Sequence, residues 1–303
     1  MPIRSTRGLS IKIEKADIEC FESDGYLVVK DVISKRRIQE IRDALEVIRE
    51  KSKKSGNVLY DQKYPDATFL LGDLPSFAEL EPFEFLVFNK DIVDIVRSLI
   101  GSEIVYFGES NAQSGVAVRG NHKDNRISDR EDASGLDWQG DYPLVRVGIY
   151  LHDSDIYSGG VKIMPGSHKL PTSKFRGGGV NVDAKAGDLV IWKLTTTHSG
   201  NAKRLKLLKN LSLHPRIEDF VPAMFERLNP IERRSMFVVY GAAGEHLNRY
   251  IQYFEGRPDV RRTLRLAGTS PVVSEYAKLA GVKLVHANSD YGAEVNPTGF
   301  QFD

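Results

Sequence analysis

The chain has 303 residues, 41% hydrophobic and 27% charged, which is enough apolar side chain for a sizeable core and excludes wholesale disorder. Lys and Arg (42) balance Asp and Glu (41), and the net charge of +1 sets up no strong field for nucleic acid or an anionic membrane. A single cysteine, Cys20, excludes an internal disulfide and a thiolate-built zinc or iron–sulfur site, so any metal must be held by His, Asp or Glu.

No stretch approaches the ~20 apolar residues of a membrane span. The opening MPIRSTRGLS lacks the apolar core of a signal peptide. These features predict a soluble, cytoplasmic globular protein with no nucleic-acid or membrane partner; they say nothing yet of its function and leave oligomeric state open.

In chain order, Asp24-Gly25 reads as a turn before a short strand, Tyr26-Leu-Val-Val29. Ser34 is the expected N-cap of the next helix, in which Ile38, Ile41, Leu45 and Ile48 share one face at spacings of 3, 4 and 3. Residues 91–99 predict a second helix ending at Gly101. From Ile104 to about Leu213 the apolar runs become short and β-rich (IVYF, LVRVGIYL, GVKIM, DLVIWK, LKNLSL), punctuated by Gly and Pro. That texture predicts an antiparallel sandwich or jelly roll rather than βαβ units. After Pro215 the pattern turns helical, with Leu247, Tyr250, Ile251 and Phe254 at helical spacing, and the last twenty residues read as a tail. The expectation is a mainly β (α+β) single domain, 1–303, with a helical flank (1–103), a β core (104–215) and a C-terminal helical extension (216–303).

Among the seven histidines, His122 alone has a carboxylate two positions on, Asp124. On a strand, residues i and i+2 face the same way, so imidazole and carboxylate can reach one ion. Downstream come SGGVKIMPGSHK, then GDLVIWK, then His198, which lies 76 residues after His122 and offers a third ligand. Two histidines and one carboxylate on one side of a metal suit non-haem Fe(II), which keeps adjacent positions open for a chelating cosubstrate and O2. Zinc prefers a closed or nearly closed tetrahedral shell.

FESDGYLVVKDVIS, HKD, SGGVKIMPGSHK, GDLVIWK and the distal histidine together resemble the phytanoyl-CoA dioxygenase family of Fe(II)/2-oxoglutarate-dependent oxygenases. The resemblance implies a cupin-like double-stranded β-helix, or jelly roll, with His122, Asp124 and His198 on iron. It further implies that 2-oxoglutarate chelates the iron and is decarboxylated to succinate as O2 is consumed and a substrate is hydroxylated. Asp at 124, rather than Ala or Gly, leaves no vacated ligand position for a halide, which favours hydroxylation over halogenation. The family places the 2-oxoglutarate arginine ten or eleven residues after the distal histidine, but position 209 is Lys, and Arg204 comes only six residues after His198. Arg204 is the first choice as carboxylate partner because guanidinium pairs bidentately, with Lys209 close behind.

Further candidates remain two-sided. The polar insert after the dyad (residues 125–142) offers Arg126, Arg130, Trp138 and Tyr142 for substrate, or forms a solvated cover with internal ion pairs. Arg146 interrupts an apolar strand: inward it binds a substrate anion, outward it is solvent face. Glu109, Ser110, Asn111 and Gln113 precede the dyad and are placed to line a pocket. Two other functions compete: a metal-dependent hydrolase or isomerase on the same fold, and a non-catalytic metabolite binder. No Walker pattern, strand-linked G-x-G-x-x-G or G-x-S-x-G elbow occurs.

Overall fold

A computed structural model describes residues 11–55, 58–60, 68–72, 74–76, 86–101, 103–114, 121–125, 135–138, 140–153, 160–172, 179–200, 205–206, 217, 220–225, 233–256 and 271–285. Its elements are α1 (Lys15–Asp24), β1 (Tyr26–Val29), α2 (Lys35–Ser55), β2 (Val58–Tyr60), β3 (Thr68–Gly72), α3 (Lys90–Ile100), β4 (Ile104–Tyr106) and β5 (Ser110–Ser114). Then follow β6 (Leu144–Tyr150), β7 (Val161–Ile163), β8 (Val180–Asn181), β9 (Leu189–Lys193), β10 (His198–Gly200), β11 (Arg234–Ala242), α4 (Glu245–Gly256), α5 (Pro271–Ala280) and β12 (Val282–Leu284). Among the described residues, no helix is long and apolar enough to cross a membrane.

Local chemistry sets the helix ends. Ser34 Oγ accepts the Arg37 N–H (3.3 Å) at the start of α2, and Asn89 caps α3 by accepting from Ile92 N (3.1 Å). On α2, Ile38, Ile41 and Leu45 are buried, as their spacing predicts; on α3, Ile92, Val93, Ile95, Val96 and Leu99 are.

The large sheet runs β1-β9-β6-β11-β5-β3-β2, with β4 beside β11 and β12 beside β4. A small sheet, β10-β7-β8, faces it. Alternation along the large sheet divides its residues between two cores. Val145, Val147, Ile149, Met236 and Val238 join the helix-side cluster with Ile41 and Val93. Tyr150, Val190, Trp192 and Phe237 point the other way and meet Val161 and Ile163 of the small sheet. This is the two-sheet jelly roll that the strand texture predicts.

The β core does not end near residue 215. Arg234–Ala242 forms β11, the longest strand among the described residues, which pairs with β6 on one side and with β5 and β4 on the other. Its run SMFVVYG is buried throughout because both faces are covered, so it lacks the alternation that marks a half-exposed strand.

Candidate metal centre

The two histidines meet through the backbone. His122 N–H donates to His198 O and His198 N–H to His122 O, both at 2.9 Å, an isolated antiparallel bridge that puts the side chains side by side. Their ring centroids are 4.3 Å apart. Asp124 N–H donates to Leu194 O (2.9 Å), which turns its carboxylate toward the same point. One ligand atom from each of His122, Asp124 and His198 lies within 4.8 Å of the others.

The motif residues downstream support this arrangement. Ser167 Oγ accepts the Thr197 N–H (2.8 Å) and donates to Met164 O (2.6 Å), fixing the residue just before His198. Lys123, buried between His122 and Asp124 in the chain, donates Nζ to Ser167 O (2.7 Å) and to Thr195 O. The Asp24-Gly25 turn joins the same assembly: Gly25 O accepts from Thr196 Oγ1 (2.8 Å) and Lys193 N (3.0 Å). Gly25 has φ +77°, and a Cβ there would lie 2.3 Å from His168 Nδ1. Thus FESDGY and PGSHK, 140 residues apart in sequence, pack on one another behind the metal centre.

Electrostatics favour ligand-ready forms. Burial raises the Asp124 pKa, but the Arg146 guanidinium, the two histidines and the Trp192 bond outweigh it and bring it down to about 2. Arg146 Nη1 lies 3.1 Å from Asp124 Oδ1, and Trp192 Nε1 donates to Oδ2 at 3.0 Å. Burial lowers the His198 pKa against the pull of Asp124, keeping the ring neutral. Its Nδ1–H donates to Thr196 O (3.0 Å), so the Nε2 lone pair is the one on the Asp124 side, 3.6 Å away. His122 is the most open of the three, with a side chain 35% exposed against 6% for Asp124 and His198, so access is from its side.

Arg146 points inward, one of its two sequence readings, but its guanidinium is engaged by Asp124 and, at 2.6 Å, by Glu109. Trp138 lies with its ring 5.3 Å from the Lys123 ammonium. Tyr142 is buried against His246. Arg126, Arg130, Arg204 and Lys209 lie outside the described residues.

A second polar group, missed in the sequence, sits at the other end of the inner face. Arg233 is 6% exposed, and its Nη1 has no hydrogen-bond partner among the described residues. Burial lowers its pKa. Ser235 lies two residues on, opposite Tyr150 in the β11–β6 register. Ser235 Oγ, Tyr150 OH and His152 Nε2 are likewise buried without partners. Arg233 acts electrostatically on both Tyr150 and His152, which places the four groups in one region. Phe237 joins this region to the metal centre, touching Tyr150 (6.5 Å between ring centroids) and Trp192 (5.9 Å). The sequence signal was Arg-x-Ser entering an apolar run.

A jelly roll with a His-x-Asp…His cluster between its sheets defines a non-haem metal oxygenase type of site. The family model described as phytanoyl-CoA dioxygenase matches residues 21–204, more than half of the chain, and the chain belongs to that family. It is an enzyme of the Fe(II)/2-oxoglutarate oxygenase superfamily. No curated protein matches it significantly in sequence.

Solved structures share its fold at low identity. HygX from Streptomyces hygroscopicus, with nickel, 2-oxoglutarate and hygromycin B bound, is 17% identical with TM-score 0.55, covering 76% of this chain and 88% of that one. EctD from S. alaskensis with bound Fe is 17% identical with TM-score 0.55, covering 76% and 77%. The α-ketoglutarate-dependent epimerase SnoN of nogalamycin biosynthesis is 15% identical with TM-score 0.53, covering 76% and 82%.

Proposed function

We propose that this chain hydroxylates a small metabolite with Fe(II), 2-oxoglutarate and O2, and that His122, Asp124 and His198 hold the iron. The observation that carries this reading is the convergence of two imidazoles and one ionised carboxylate within 4.8 Å, with the His198 tautomer fixed to present Nε2. This donor set fits non-haem Fe(II), and it lacks the fourth protein ligand of a closed zinc shell among the described residues. When bound, iron with 2-oxoglutarate and O2 supplies the oxidising chemistry, releasing succinate and CO2.

The protein supplies position and charge. Arg146 and Trp192 each hold one oxygen of Asp124, and Lys123 ties the dyad to the PGSHK turn. In this reading Arg146 and Trp138 serve the metal loop rather than the substrate. Arg233, Ser235 and Tyr150 receive the distal carboxylate of 2-oxoglutarate: a buried guanidinium whose Nη1 has no partner among the described residues, and two buried hydroxyls in the same state, match a carboxylate's demand for donors. They stand ahead of Arg204 and Lys209 for that task. The apolar wall of Phe237 and Trp192 excludes water between the two ends.

Succinate release measured over a panel of small metabolites, with mass analysis of the product under 18O2, tests this. Hydroxylation gives substrate-dependent succinate and a product carrying one 18O atom, and His122→Ala or Asp124→Ala abolishes both. Unchanged turnover in either variant overturns the assignment. The fold shared with the epimerase SnoN favours a second outcome, oxidation without oxygen insertion, which gives succinate but no labelled product.

A further inference from the structure

Helix α4 reaches back to the segment that carries Asp124. Arg249 donates from both Nη1 and Nη2 to Asn125 O, each at 3.1 Å, and from Nε to Asp137 Oδ1 at 3.0 Å. Its Nη2 also pairs with Asp137 Oδ2. Asn125 completes the triangle by donating Nδ2 to Asp137 Oδ2. Asn125 and Asp137 are 0% and 2% exposed, so this ion pair is shielded from water on the carboxylate side.

Asn125 directly follows Asp124. The Asp124 and Asn125 N–H groups both donate to Leu194 O, at 2.9 and 3.3 Å, which anchors the segment on its amide side. Arg249 anchors it on the carbonyl side. The backbone that aims the Asp124 carboxylate is therefore gripped between the end of β9 and α4, and among the described residues nothing local to the HKD motif supplies the second grip.

We propose that Arg249 is a positioning residue for the metal centre, holding Asp124 in ligand geometry through the Asn125 carbonyl and the buried Asp137 carboxylate. This rests on the reading of His122, Asp124 and His198 as metal ligands. It assigns a role in metal binding to a helix outside the part of the chain that the family model matches, residues 21–204. A planar fork is needed because one side chain spans a carboxylate and a carbonyl at once, which an ammonium does not reproduce.

Arg97 provides the control. It makes the same kind of contact, with Asp94 and with Ala280 O (3.1 Å) and Gly281 O (3.3 Å), but on α3 in the helix-side core. Anaerobic equilibrium dialysis against Fe(II) alone compares wild type, Arg249→Gln, Arg249→Lys and Arg97→Gln, alongside thermal unfolding of each metal-free protein. Support for a metal loop lost with a surrounding hydrogen-bond partner is worth about 10–100-fold in affinity. We expect at least a tenfold loss for Arg249→Gln, a smaller one for Arg249→Lys, and wild-type affinity for Arg97→Gln even where its unfolding temperature falls.

Asp137→Asn/Arg249→Gln removes the buried unpaired charge that the single variant leaves, and is expected to fold with the same loss of affinity. Wild-type affinity in Arg249→Gln or in the double variant overturns the proposal, as does an equal loss in Arg97→Gln. Wild-type protein that does not bind Fe(II) overturns the metal site itself, and this inference with it.

Discussion

Trp192 donates its indole N–H to Asp124 Oδ2 at 3.0 Å, while its ring lies 5.1 Å from that of His198. The chain has two tryptophans, and the other, Trp138, packs on Lys123 between the ligands of the dyad. Both emitters therefore border the metal centre. Anaerobic Fe(II) is expected to quench intrinsic fluorescence, and Trp192→Phe to remove most of the quench and weaken Fe(II) binding about tenfold. An undiminished quench in that variant would place the signal at Trp138 and uncouple the indole from the metal.

Arg233→Gln leaves a site with two hydroxyls and no cation. Losing a charge-assisted pair of about 1.5–3 kcal/mol corresponds to roughly a 10- to 100-fold rise in KM for 2-oxoglutarate. Fe(II) affinity should not change, and Arg233→Lys should restore part of the loss. Gln at Arg204 and at Lys209, assayed in parallel, should leave that KM near wild type; a rise at either instead of Arg233 moves the carboxylate to that residue.

His152 accepts the Arg234 backbone N–H at Nδ1 (3.1 Å), and burial with the nearby Arg233 charge takes its pKa down from 6.5 to about 4. The unfolded chain therefore binds the proton first as pH falls. The stabilisation is whole above pH 6.5 and is lost as pH drops toward 4, by about 1–3 kcal/mol. His168, also brought down to about 4 by burial, gives a slope of the same sign. Urea unfolding of the metal-free protein across this range should show His152→Gln flattening part of the slope; an unaltered slope refutes the assignment.

Gly25→Ala strains a φ of +77° and drives a methyl into His168 Nδ1 and Thr196 Oγ1, at 2.3 and 2.7 Å. A loss of about 2–4 kcal/mol is expected from the two effects together. His168→Ala in the same chain should relieve the collision with His168 but neither the one with Thr196 Oγ1 nor the backbone strain, so the two substitutions combine non-additively. Strict additivity in denaturant unfolding would show that Gly25 and His168 do not meet.

What the sequence made legible was local. Ser34, Gly25 and the HKD, PGSHK and GD motifs carry their geometry in adjacent residues, because caps, tight turns and strand alternation are short-range chemistry. Gly187 is one case: its φ is +98°, and a Cβ would come within 2.3 Å of Ile33 O. Arg146 was legible as an anomaly but not as a partner, since its pairing with Glu109 and Asp124 arises only when three separate segments of the chain are brought together. β11 was hidden because a strand covered on both faces shows neither alternation nor helical period. Arg249 lies 124 residues from Asn125, and no local pattern on a helix announces a contact with a distant carbonyl.

β5 and β6 lie on either side of β11, although β11 follows them by more than eighty residues. The ligand set is complete in the chain at His198, yet the sheet that carries Trp192 and Arg146 stays open between β5 and β6 until Ala242 has been made. The His122–His198 bridge and the Asp124–Leu194 bond lie within residues 122–198, whereas the sheet behind them closes only with β11. Pairing at such sequence separation is slow, because loop closure must precede any reward. The pairing of β11 with β5 and β6 is therefore the long-range step on which closure of this sheet waits.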